Sequence, residues 1–355
     1  MNAYFNSQAL IIARESRGRS QTEVGSAAGI TQGLISKAEA DLFVPNEAQL
    51  ERIAKFLEYP VEFFSEPGQL RDGASVCHYH RKRKTLPAKI LSRANAMMFV
   101  RNVNVQRMLN GLEIAGARQF HTLEVEEFGT PTAIARALRT AWRIPDGPIS
   151  NLIGLIESAS GIVILSPFGN RKLFGMSCWA TRHHPLFYMN SEISMADLRW
   201  TLAHEIGHLT MHAAPTAADP ETEADEFAAE FLMPSAQIAA DLKALRFESL
   251  GPYKLHWRVS MKTLIRRAES LGCIGRDDAT RLYKRYSAHG FNASEPYEIP
   301  RETPTLLARA AEVHLGEHGY SVSELRRAIR LTNPDDYAEV TTMPPSRGPL
   351  SVVRS

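Results

Sequence analysis

The stretch RWTLAHEIGHLTMH, Arg199 to His212, sets three histidines and one glutamate into otherwise apolar sequence. On an α-helix, residues four apart lie on one face about one turn apart. His204 and His208 can therefore both offer an imidazole nitrogen to one zinc ion at about 2.0–2.1 Å. Glu205 follows His204 directly and is rotated off that line, so it can reach a water at the metal without coordinating the ion. This is the mechanical content of H-E-x-x-H: Glu205 is the general base that takes the water's proton and later delivers it to a leaving amine. A helix with a polar stripe is the other reading of the same residues.

A third ligand is needed. His212 lies one more turn along, too far from a metal held between the first two histidines. The stretch ETEADEFAAEFLMP that follows offers Glu221 and Asp225, four apart and hence on one face. One carboxylate can ligate while the other orients a ligand histidine from behind. Glu223 competes with Glu221 for the ligand role, although it projects toward the stripe it shares with Glu230.

These residues sit in a chain of 355, longer than one ordinary domain. Hydrophobic content of 44% and charge of 23% are those of a globular protein. The net charge of +2 conceals an uneven distribution. Val76 to Asn110 holds eight Lys or Arg and no acid, whereas Glu192 to Phe231 holds nine acids and one Arg. The first can face a polyanion and the second can hold cations. Cys77, Cys178 and Cys273 are far apart and form no metal-finger spacing. With no basic start before an apolar core and no long apolar run, the reading is a cytoplasmic protein.

The first 65 residues read as short helices. Ser20 and Thr31 are N-caps, Gly29 is a stop, and Leu50, Ile53, Ala54 and Leu57 share a face. Later, GIVILSP, LFGMSCWA and PLFYMN are short, β-branched and aromatic-rich, and read as strands. The histidine helix follows them. The rest to about Tyr337 is helical, broken by FNASEPYEIPRETP. CHYH and RHHP read as ordinary residues rather than further metal sites.

LRWTLAHEIGHLTMH followed by ETEADEFAAEFLMP resembles the ImmA/IrrE family of zinc metallopeptidases. In that family H-E-x-x-H precedes a helix carrying a glutamate, an Asp or Asn four residues later, and a closing L-M-P. The resemblance implies Zn2+ held by His204, His208 and Glu221, with Asp225 behind a ligand. It also implies a protein substrate, typically a helix-turn-helix repressor cut to release its genes. SQTEVGSAAGITQGLISKAEADLFVP resembles the Xre/Cro-type helix-turn-helix. Carried over by position, Gln32, Gly33 and Lys37 face the major groove and Gln21 approaches a phosphate. Asp41 stands where that family usually has glycine. A helical protein-interaction module is the other reading of this segment.

The expected fold is mainly α with a small antiparallel β-sheet (α+β). A helix-turn-helix domain spans 1–68, a basic helical linker 69–130 and a zincin-like metallopeptidase core 131–240. A helical C-terminal region covers 241–340 and a disordered tail 341–355. The expected function is a DNA-binding transcriptional regulator whose zinc endopeptidase domain cleaves a repressor-type protein, itself or a partner. Its expected partners are double-stranded DNA and that protein substrate, with no membrane; a homodimer is an admissible assembly. Two alternatives stand beside it. One is a regulator whose peptidase-like fold senses a ligand without cleavage, and the other is an antitoxin-like component of a paired operon.

Overall fold

The computed structural model describes residues 5–66, 80–82, 87–114, 116–120, 122–123, 128–181, 184–212, 219–243, 245–341 and 352–353. Cys77, His78, His183, the side chains of the basic run and most of the tail fall outside them. In chain order the elements begin with α1 (Ser7–Ser16), α2 (Gln21–Ala28), α3 (Gln32–Glu39) and α4 (Glu47–Leu57). After β1 (His80–Lys82) come α5 (Ala88–Leu109), β2 (Glu113–Ile114), α6 (Pro131–Ala141) and α7 (Leu152–Ser158). Three strands follow, β3 (Ile162–Ser166), β4 (Leu173–Trp179) and β5 (Pro185–Asn190). Then come α8 (Met195–Met211), α9 (Pro220–Leu232), α10 (Ser235–Lys243), α11 (Leu250–Trp257), α12 (Met261–Ser270) and α13 (Arg276–Ala288). The chain closes with α14 (Leu306–Gly316), α15 (Val322–Ala328), α16 (Pro334–Thr341) and β6 (Val352–Val353). The fold is α+β, as the patterns indicate.

Two compact units interleave along the chain. One comprises Met1–Ala115, Ile162–Tyr188 and Pro304–Ser355; the other comprises Gly116–Gly161 and Met189–Thr303.

In the first unit, α1 to α4 each start at a side-chain cap, from Asn6, Ser20, Thr31 and Asn46. Gly29 ends α2 at φ +69°, a left-handed conformation that glycine meets without steric cost. Asp41 takes φ +60° after α3, which a short polar side chain tolerates in place of the family's glycine. Leu10, Ile12, Val24, Ile35, Ile53 and Leu57 close one core with Phe63 and Phe64. That core also takes in Ala96 and Val100 from α5. Ser92 donates to Glu15 at 2.7 Å and Arg93 to the Ser16 carbonyl at 3.2 Å, so α5 is bonded as well as packed to α1.

The sheet runs in the order β1-β4-β5-β3, with β1 antiparallel to β4. It is mixed rather than wholly antiparallel, and the chain steps past the place of β5 between β3 and β4. Cys178 is buried in this sheet's core, alongside Leu306, Ala310 and Leu325 from the C-terminal helices. Most of the tail expected to be disordered lies outside the described residues, but Val352–Val353 pair with β2.

The second unit carries the histidine helix, α8. Sixteen of its seventeen residues are buried, all but Asp197. A helix covered on every side belongs to a core. Its start is pinned by Arg199, which is wholly buried, pairs with Glu302 and donates to the carbonyls of Ile149 and Arg258. Glu302 also accepts the backbone N–H groups of Leu152 and Ile153 at 2.7 and 2.9 Å, capping α7. Further along α8, Gly207 faces the Phe227 ring of α9, where an added Cβ would stand 3.0 Å from it. Glycine here lets α9, which carries the acidic residues, come close to the histidines.

Glu302 therefore joins α7, α8 and the segment before α14 through one carboxylate. Removing one member of a buried ion pair costs about 3–5 kcal/mol, because the remaining charge is stranded away from water. Glu302→Ala is expected to lower the unfolding free energy, read from a denaturant titration, by an amount of that order. A change below about 1 kcal/mol would show that Arg199 finds water instead.

Candidate metal centre

The histidines separate the two readings of α8. A polar stripe would face solvent, but His204, His208 and His212 are 1%, 0% and 6% exposed. Three buried imidazoles in an apolar helix need partners, and the structure supplies them from α9.

His204 and His208 turn their Nε2 atoms toward each other at 3.0 Å. The Glu221 carboxylate spans the pair, with Oε2 3.5 Å from His204 Nε2 and Oε1 3.4 Å from His208 Nε2. Ligands held at about 2.0–2.1 Å around a tetrahedral ion lie about 3.3 Å apart. The triangle therefore has the dimensions of one face of a zinc coordination shell. Among the described residues these three form a cluster of possible ligand atoms within 4.8 Å of one another. Two nitrogens and an oxygen suit zinc by chemistry as well as by size. The side chain of Glu221 is 57% exposed, so the triangle has a solvent-facing edge, as a catalytic site with an open fourth position requires.

Protonation agrees with this arrangement. Burial is the largest influence on His208 and pushes its pKa down to about 4, so its ring is neutral near pH 7. Hydrogen bonds with His204 and then His208 hold the Glu221 carboxyl well below the usual carboxylate range. Both groups are thus in the forms that bind a cation.

The outer partners complete the geometry. Asp225 Oδ1 lies 3.0 Å from His204 Nδ1 and accepts from the Trp200 indole at 3.3 Å, while its other oxygen takes Arg266 at 3.1 Å. Glu223 does not join the triangle; its Oε2 lies 2.8 Å from His212 Nε2. His212 Nδ1 in turn lies 2.9 Å from His208 Nδ1. Sequence reasoning set His212 aside on distance to the metal and missed this outer position. The signal was its four-residue spacing from His208. Glu205 is wholly buried beside His204.

On the helix-turn-helix, Gln32, Gly33 and Lys37 are exposed on α3, while Ile35 and Ala38 turn into the core. Gln21 is tied at both ends, accepting from Gln32 at 2.6 Å and donating to Glu39 at 2.7 Å. Arg14 pairs with Glu39 in turn. The Gln21–Gln32 link, which sequence spacing did not reveal, fixes how Gln32 is presented.

Residues 10–64 match the family model of a helix-turn-helix, and residues 157–269 match that of the IrrE N-terminal-like domain. No curated protein and no solved structure matches the chain. These two matches support a DNA-binding transcription regulator that carries a peptidase-like domain. More particularly, an Xre-like helix-turn-helix is fused to an IrrE-like domain. Among the described residues no helix is long and apolar enough to cross a membrane.

The triangle sets an expected outcome for metal content. Dialysed protein should carry close to one zinc per chain, as three protein ligands and one open position imply. Glu221→Ala should empty the site, whereas Glu223→Ala should keep it filled when zinc is in excess. Elemental analysis showing the reverse would exchange the roles of the two glutamates.

Proposed function

We propose that this chain is a zinc-dependent endopeptidase joined to its own DNA reader, and that it cleaves a helix-turn-helix repressor-type protein to relieve repression. The reading is carried by the His204–His208–Glu221 triangle, whose two buried imidazoles and exposed carboxylate stand at coordination dimensions, with the buried Glu205 following His204 on the same helix. His204, His208 and Glu221 hold zinc, and Asp225 orients His204 through Nδ1. The bound ion supplies a Lewis acid that polarises a scissile carbonyl and makes a water acidic near pH 7.

Glu205 takes the proton of the attacking water as general base and returns it to the leaving amine. The N-terminal domain brings the peptidase to double-stranded DNA. Gln32, Gly33 and Lys37 present the face of α3 that meets the major groove, and Gln21 sits toward the phosphates while steering Gln32. A protein working on chromosomal operators and their repressors acts in the cytoplasm. The reader makes DNA-bound helix-turn-helix proteins, this chain or a partner, the accessible substrates.

Glu205→Gln tests the reading. The amide keeps nearly the same volume but cannot accept the proton. Zinc content and DNA binding should stay at wild-type levels, while fragments of the repressor disappear from immunoblots and its target genes remain silent under the inducing condition. A zinc-replete variant that regulates like the wild type, with fragments in neither strain, would mean a sensor rather than a peptidase.

A further inference from the structure

The two ligand histidines are backed differently, and only one backing belongs to the motif read from the sequence. His204 meets a carboxylate directly, through Asp225. His208 meets an imidazole, His212, and behind that the carboxylate of Glu223. We propose that His212 and Glu223 form a positioning relay that holds His208 in its metal-binding tautomer and ring orientation. This rests on the metal reading above.

The positions of the ring protons set the direction of both hydrogen bonds. His208 is wholly buried, and its Nε2 faces His204 and Glu221. For Nε2 to present a lone pair to a cation, the proton of the neutral ring must sit on Nδ1. A buried N–H requires an acceptor, and His212 Nδ1 stands 2.9 Å away. To accept, His212 Nδ1 must itself be bare, which puts its proton on Nε2. That N–H then needs an acceptor of its own, and Glu223 Oε2 lies 2.8 Å away. The two hydrogen bonds therefore run in one direction, from His208 through His212 to an anion. Reversing either would turn a proton toward the metal position.

The relay is also held in place by the backbone. His212 caps the C-terminus of α8, and its own N–H donates to the His208 carbonyl at 2.9 Å. Glu223 stands in the first turn of α9, where the helix N-terminus favours a negative side chain. The end of α8 and the start of α9 are thereby fixed to the same histidine. Glu221, the third ligand, lies two residues before Glu223 on that same turn. The relay thus sets the distance between His208 and Glu221 as well as the tautomer.

The test compares two substitutions of similar size. His212→Asn places an amide oxygen near the position of Nδ1 and can still accept from His208, whereas His212→Leu fills similar space and cannot. Zinc affinity is measured on the full chain by competition with a chromophoric chelator, alongside the melting temperature of the metal-free protein. His212→Leu should weaken zinc binding about 10–100-fold, the usual cost of losing an outer partner. His212→Asn should stay within about threefold of wild type. Adding Glu223→Ala to His212→Leu should cost little more, because members of one series do not add. Equal losses in the Asn and Leu variants would reduce His212 to a packing residue and overturn the relay, as would additive losses in the double variant. Wild-type protein that takes up no zinc at all is a different failure, that of the metal reading itself.

Discussion

The convergence of two buried imidazoles and one solvent-facing carboxylate is the constraint around which the second unit is built. Two imidazole nitrogens and the carboxylate oxygens of Glu221 stand 3.0–3.5 Å apart, the spacing of ligands around one bound cation. Burial disfavours the proton on His208, so a metal ion is the natural resolution. The surrounding features serve that convergence. Gly207 brings α9 close, Arg199 and Glu302 pin the start of α8, and Asp225, His212 and Glu223 turn the rings.

The reader is built into the first unit by a second set of buried charges. Arg101 of α5 is wholly buried between Asp336 and Glu339 of α16, and Asp336 also accepts from Arg17, just past α1, at 2.6 Å. Glu66, just past the helix-turn-helix, accepts from both Arg107 and Arg330. With Ala96 and Val100 in its core, the N-terminal domain is held by packing and ion pairs as well as by chain connection. A reader anchored in this way has a fixed orientation against α5 and the C-terminal helices.

The parts legible in the sequence were those set by local spacing. Ser20, Thr31 and Gly29 gave the helix boundaries of the reader because caps and left-handed turns are local chemistry. His204, His208 and Glu221 were legible because the four-residue period and the closing L-M-P fix register along two successive helices. What escaped depended on contacts between distant residues. Arg199 and Glu302 are 103 positions apart, and Arg17 and Asp336 are 319 apart, so no spacing rule connects them. His212 escaped for another reason. Distance excludes it as a ligand, and its outer role depends on Glu223 of α9, which no spacing along α8 connects to it.

The central claim is that one ion is held by two imidazoles and one carboxylate with an open position. X-ray absorption at the zinc edge of the loaded full-length chain measures that shell directly. Two nitrogen scatterers showing the outer-ring pattern of imidazole are expected, with oxygen scatterers making up the remainder, all at about 2.0–2.2 Å. A third imidazole would place His212 on the metal. A sulfur scatterer near about 2.3 Å would move the site to a cysteine, and either result would contradict the account.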